Sequence, residues 1–139
     1  MRIEIPDNKK FVYEMAFPVR WGDIDMMGHV NNVMYFRYLE TVRIEWMRSI
    51  GRVTNANGEG FVIINAFCNF YTQIEYPSDL VAKLYIANPG RTSFDKFVTL
   101  ERADEPGKIY AAGGATTVWL DFPKKQSLPL PDWLRALFD

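Results

Sequence analysis

The sequence predicts an α+β domain in which an antiparallel five-stranded sheet wraps around one long helix. Three observations carry this reading. Apolar side chains alternate from Phe11 to Trp21. An apolar stripe with helical spacing then runs from about Asn32 to Ile50. From residue 61 to 120 the chain is rich in strand-forming residues, cut by Pro-Gly turns at 89–90 and 106–107. With 139 residues the chain is expected to form a single domain over 1–139, long enough to bury a core.

Taken in order, the first strand puts Phe11, Tyr13, Met15, Phe17, Val19 and Trp21 on one face, and Pro18 marks a sheet edge or a strand end. Asn31 or Asn32 can cap a helix that runs to about Ile50, with Gly51 as its stop. Tyr35, Leu39, Val42, Trp46 and Ile50 form its stripe. Phe36, Tyr38, Ile44 and Met47 widen the apolar surface, so the helix is expected to be mostly enclosed. After a turn-like stretch at 55–60, Phe61 to Tyr76 is apolar on both faces, which suggests a central strand. Leu80–Ala87 alternates weakly, and Thr92–Arg102 and Ile109–Leu120 complete the set. Gly113-Gly114 inside the last strand points to a bulge or a close backbone contact. The tail, Pro129–Phe138, reads as a short amphipathic helix with Pro131 at its first position. One helix cannot cover both faces of such a sheet, so a dimer that extends the sheet is expected.

Composition narrows the function. The formal net charge is -1 and no long run of like charge occurs, which argues against nucleic acid or an anionic membrane as partner. The pairs Lys9-Lys10 and Lys124-Lys125 read as solvated ends. The single cysteine, Cys68, has no internal disulfide partner and sits in an apolar segment, where a buried, inert thiol is expected. No apolar run has the length of a signal peptide or a membrane span, so the cytoplasm is the expected location. One histidine and one cysteine are too few for an all-protein zinc site, and neither metal nor cofactor is expected.

The chemistry concentrates in Trp21-Gly-Asp-Ile-Asp-Met-Met-Gly-His-Val-Asn-Asn32. In an extended loop Asp23 and Asp25 would point the same way. Both could be turn acids satisfied by backbone N–H groups, and His29 could simply close the turn. The helix start nevertheless offers N–H groups without intrahelical acceptors at the positive end of the dipole. A carbonyl oxygen bound there is polarised, and an acid a few residues upstream can approach its carbon. That division of labour suits acyl transfer or acyl hydrolysis.

Residues 19 to 46, including the Gly-Asp-Ile-Asp and Gly-His-Val-Asn-Asn motifs, resemble the signature of hotdog-fold acyl-CoA thioesterases of the 4-hydroxybenzoyl-CoA thioesterase-like family. Tyr76-Pro-Ser-Asp79 is similar to the family's turn between strands. The resemblance implies a hotdog fold and hydrolysis of an acyl thioester without a cofactor, coenzyme A being part of the substrate. It implies that Asp25 is the catalytic acid, as nucleophile through an acyl-enzyme anhydride or as general base for water. It assigns the backbone N–H that polarises the carbonyl to Asn32, and to Gly28 the glycine that allows a tight approach. Asp23 is then mainly a loop-fixing residue, and His29 either orients Asp25 or a water or caps the turn. The Gly-His-Val-Asn-Asn variant departs from the 4-hydroxybenzoyl enzyme, so its aromatic substrate does not carry over. For coenzyme A phosphates the resemblance points to Arg91, Thr92 and Ser93 with Lys96, which could equally be solvated residues at a strand start. Met26, Met27, Phe61, Phe67 and Tyr71 could line an acyl pocket or serve as core. Partners are then an acyl-CoA or an acyl-carrier-protein thioester and further copies of the chain, as homodimer or homotetramer. A module that binds acyl-CoA without hydrolysing it and a hotdog dehydratase are the alternatives.

Overall fold

The computed structural model describes residues 3–52 and 58–139. Five long strands, β1 (Lys10–Pro18), β2 (Glu59–Phe70), β3 (Asp79–Ala87), β4 (Ser93–Arg102) and β5 (Ile109–Asp121), form one sheet in the order β1-β3-β4-β5-β2. Every pairing is antiparallel. A two-residue strand, β6 (Gln126–Ser127), pairs with the end of β5 and lies where the sequence carries no strand signal. Helix α1 (Asn32–Ser49) lies across the concave face, and a single turn, α2 (Asp132–Arg135), closes the chain. This is the hotdog architecture, with its core between α1 and the sheet: Leu39, Val42 and Trp46 meet Leu80, Leu84, Phe94, Val98 and Leu100.

The capping signals around α1 act as the sequence indicates. Asn31 is extended and its side chain accepts the Val33 N–H at 3.1 Å, while Gly51 ends the helix at φ +70°. The helix is enclosed on one side only. Tyr38 and Met47 join the buried stripe, but Phe36 and Ile44 stay exposed because the sheet covers a single face.

Several elements differ from expectation. β1 stops at Pro18, where Val19 N–H turns to donate to the Ser78 carbonyl. Trp21 leaves the sheet in a 3-10 turn, Trp21–Asp23, with 74% of its surface exposed. An irregularity between Phe11 and Tyr13 breaks the alternation at its start. β2 is an edge strand rather than a central one, and it ends at Phe70 instead of Tyr76. Apolar residues on both faces do not distinguish the two cases. Phe61 packs on Phe94 and Trp119 on one face and Phe67 packs near Phe97 on the other, while Ile63 and Ile64 remain exposed at the edge. In β3, Leu80, Ala82, Leu84 and Ile86 are buried and alternate with half-buried Val81, Lys83 and Tyr85. The alternation looks weak in sequence only because Val81 and Tyr85 are apolar too. Gly113 and Gly114 form no bulge and keep the register with β2 and β4. They admit a close approach instead: a Cβ at Gly113 would stand 2.5 Å from Leu39 Cδ1. Pro131 is the N-cap of α2 rather than its first residue, because its ψ of 156° is extended.

Candidate active site

Residues 19–31 fold into a small hairpin in front of α1. Ile24 and Val30 pair across it, Asp25 N–H donates to the His29 carbonyl, and Gly28 N–H donates to the Asp25 carbonyl. Gly28 sits at φ +83°, and a Cβ there would meet nothing within 4 Å. Its glycine answers the left-handed backbone of the turn. The segment after β2 closes over the same place. Tyr71 and Thr72 N–H groups donate to the Tyr110 carbonyl, Val30 N–H donates to the Ile74 carbonyl, and His29 bridges Glu75.

The two aspartates diverge, contrary to the extended-loop expectation, because the 3-10 turn rotates one against the other. Asp23 turns inward and is 7% exposed. Its Oδ2 accepts the Tyr38 phenol at 2.6 Å and the Arg20 N–H at 3.1 Å, and its carbonyl accepts the Asn31 N–H at 2.9 Å. One residue thus ties the loop both to the second turn of α1 and to its cap. Burial first, and the bond to Asp23 second, push the Tyr38 phenol far above its usual range, so it is a permanent donor.

Asp25 turns outward. Its Oδ1 accepts the Met27 N–H at 2.9 Å, and the carboxylate faces a cleft of about 510 Å³ shared with Met27, His29, Asn32, Tyr35, Phe70 and Tyr71. At the helix start the donors are already used by the Asp23 carbonyl, the Asn31 side chain and the Asn31 carbonyl, which take the N–H groups of Asn31, Val33 and Met34. Among the described residues the Asn32 N–H keeps no acceptor, and Asn32 lines the Asp25 cleft. A free donor at the positive end of a helix opposite a carboxylate can polarise a carbonyl while the acid, or a water it activates, meets the carbon. His29 Nε2 lies 3.7 Å from Glu75 Oε1 at the rim of the cleft.

Other sequence candidates scatter. Arg91 and Thr92 lie in the turn between β3 and β4, where their carbonyls accept from Leu130 and Trp119 N–H groups. That turn is at the far end of β3 from the Asp25 loop, roughly 25 Å away at the usual strand rise. Lys96 does not join them at the surface. It is 3% exposed beneath α1, its ammonium 4.2 Å from the Phe61 ring centre, 5.4 Å from Trp46 and 5.5 Å from Phe94. Of the acyl-pocket candidates, Met27 and Tyr71 line the cleft. Met26 is 98% exposed at the loop tip, Phe61 lies toward the far end of α1, and Phe67 is on the outer face. Burial pushes the Cys68 thiol up to about 12, the inert state expected of it. Tyr35 and Phe70 in the cleft, Glu75 beside His29 at its rim, and Tyr38 behind it escape a sequence reading. Tyr35 and Tyr38 look like ordinary stripe residues, and nothing local couples Tyr38 to Asp23 or Glu75 to His29.

The fold is that of the hotdog class. The model of the thioesterase-like superfamily matches residues 19–138, and the chain belongs to that superfamily. It is 30% identical over 131 residues to the acyl-acyl carrier protein thioesterase ATL3 of Arabidopsis thaliana, a match that covers 91% of this chain and 67% of the plant protein. Among solved structures it is similar to the PA2801 protein of Pseudomonas aeruginosa, with 32% identity, a TM-score of 0.88, and 94% and 100% of the two chains covered. The fold also matches Slr0204, a 1,4-dihydroxy-2-naphthoyl-CoA thioesterase from Synechocystis (TM-score 0.79, 16% identity, 91% and 94% covered). Thioester hydrolysis is the activity that this family and these relatives assign to the chain. No helix among the described residues is long and apolar enough to cross a membrane.

Proposed function

We propose that the protein hydrolyses an acyl-CoA to the free acid and coenzyme A. Asp25 serves as nucleophile or general base, and the Asn32 N–H polarises the thioester carbonyl. The observation that carries this reading is an N–H at the helix start, that of Asn32, which has no acceptor among the described residues and belongs to a residue lining the same cleft as Asp25. As attack proceeds, the carbonyl oxygen gains charge and its bond to the Asn32 N–H strengthens, so the donor favours the transition state over the bound ester. Gly28 shapes the turn that presents Asp25. His29, beside Glu75 at 3.7 Å, orients Asp25 or a water in this reading. An acyl carrier protein is the second carrier to consider, because the plant relative ATL3 is an acyl-acyl carrier protein thioesterase.

The exposed β2 edge supports a homodimer. Its free backbone groups and exposed Ile63 and Ile64 suit pairing with a second copy. A role for Arg91, Thr92 and Ser93 toward coenzyme A held at Asp25 calls for that second copy, since within one chain they lie at the other end of β3. The test is thiol release from a panel of acyl-CoA and acyl-carrier-protein esters by native protein and by Asp25→Asn. Turnover that Asp25→Asn abolishes supports the reading. Tight acyl-CoA binding without turnover would overturn it in favour of a binding module.

A further inference from the structure

One polar cluster inside the fold takes no part in the cleft chemistry. Lys96, on β4, faces α1 and lies directly opposite Ala115 on β5. Its ammonium ends 4.2 Å from the centre of the Phe61 ring, and Phe61 belongs to β2, on the far side of β5. The side chain therefore crosses β5. Along that path Ala115 lies at the start and Trp119, the partner of Phe61, at the end, with Thr117 between them on the same face. Ala115 is small enough to let the lysine stem pass, which brings the ammonium beside Thr117.

Neither group is satisfied. The Thr117 hydroxyl is fully buried and has no hydrogen-bond partner. Lys96 is 3% exposed, and among the described residues its ammonium has neither a hydrogen bond nor a carboxylate within 4 Å. Those residues include every aspartate and glutamate of the chain. The rings of Phe61, Trp46 and Phe94 offset part of the charge but offer nothing to the Thr117 O–H. Half-buried Arg43 adds a second positive charge near enough to oppose protonation of Lys96. The acid nearest to it along α1, Glu40, is held by Arg37 at 2.7 Å. An ammonium and a hydroxyl that neighbour each other without a mutual bond lack a common acceptor. A water would accept from both and leave the charge uncompensated, whereas a monovalent anion accepts from both and neutralises it.

We infer that the space between Lys96 and Thr117, beneath α1, binds one monovalent anion of halide size, held by the Lys96 ammonium and the Thr117 hydroxyl. The enclosure of Lys96 keeps bulkier anions such as phosphate out. The site shares no residue with the Asp25 cleft and stands apart from the thioesterase reading.

The test is thermal unfolding at about pH 6, below the value of about 7 to which burial, then Arg43, bring Lys96. Sodium gluconate is replaced stepwise by sodium chloride at constant ionic strength. Binding to the folded state alone is expected to raise Tm by about 4 °C for each tenfold increase in chloride above half-saturation. Lys96→Met is expected to lose this response. Thr117→Val, equal in size, is expected to move its midpoint to about tenfold higher chloride, as the loss of a hydrogen bond to a charged group implies. A native Tm indifferent to chloride overturns the site. So does a midpoint that Thr117→Val leaves unchanged, a result that holds even if Lys96→Met fails to fold. Crystals grown in sodium bromide read the site directly. An anomalous peak in contact with both Lys96 Nζ and Thr117 Oγ1 supports it. A water or a second copy's carboxylate at that point overturns it, and so does bromide found only elsewhere, an adventitious ion only.

Discussion

Asp25→Asn keeps the size and most of the hydrogen bonding of the loop acid while removing its charge. It is expected to lower thiol release by about 100-fold or more, the usual scale for a lost base or nucleophile, with little change in Tm because the side chain is only half-buried. Tyr38→Phe acts on the other aspartate. It deletes the 2.6 Å bond and leaves a buried carboxylate with the Arg20 N–H as its remaining side-chain partner, for a loss of about 1–3 kcal/mol in a denaturant titration. The pH dependence has a definite sign. The phenol titrates higher in the folded protein than in the unfolded chain, so its contribution is complete below about pH 10 and is lost as pH climbs further. Tyr38→Phe should therefore flatten the alkaline limb of the stability curve. Lys96 has the opposite sign. Burial foremost, then Arg43, bring it down to about 7 from 10.5, so the unfolded chain takes up the proton first. The penalty to folding accumulates as pH falls from about 10 to 7 and is constant below. Lys96→Met is expected to raise Tm at pH 7, with the gain shrinking toward pH 10.

Among the elements, α1 and β5 are locked at one point. Gly113→Ala places a Cβ 2.5 Å from Leu39 Cδ1 and from the Phe67 carbonyl, so strand or helix must shift. The expected cost is about 1–3 kcal/mol, read as a lower urea midpoint, with accelerated hydrogen exchange in β5 and the third turn of α1. The loop before α1 is legible as a motif but not as geometry. Its aspartates, glycine, histidine and asparagines are all visible, and residue type narrows the cap to Asn31 or Asn32. Which aspartate faces substrate is settled by the 3-10 turn at Trp21–Asp23 and by Tyr38, fifteen residues on, whose phenol takes one carboxylate out of play. No local pattern encodes that pairing.

Across the whole molecule, β2 is an edge strand with no second partner strand among the described residues, and Ile63 and Ile64 are exposed on it. Ile64→Lys is expected to shift the sedimentation of the protein toward the monomer, as charge on an edge strand opposes pairing. The sequence by itself determined the α+β class, the stop of the long helix and its cap to within one residue, the approximate place of every long strand and the segment that carries the chemistry. These follow from periodicity and from residues such as Asn31 and Gly51, whose backbone preferences act within a few positions. Only the tertiary structure decided that β2 is an edge, that Asp23 and Asp25 part company, that the Asn32 N–H is left free, and that Lys96 is buried far from Arg91. Each depends on contacts between residues distant in the chain, and a strand's sequence records how apolar its surroundings are without recording which strands lie beside it.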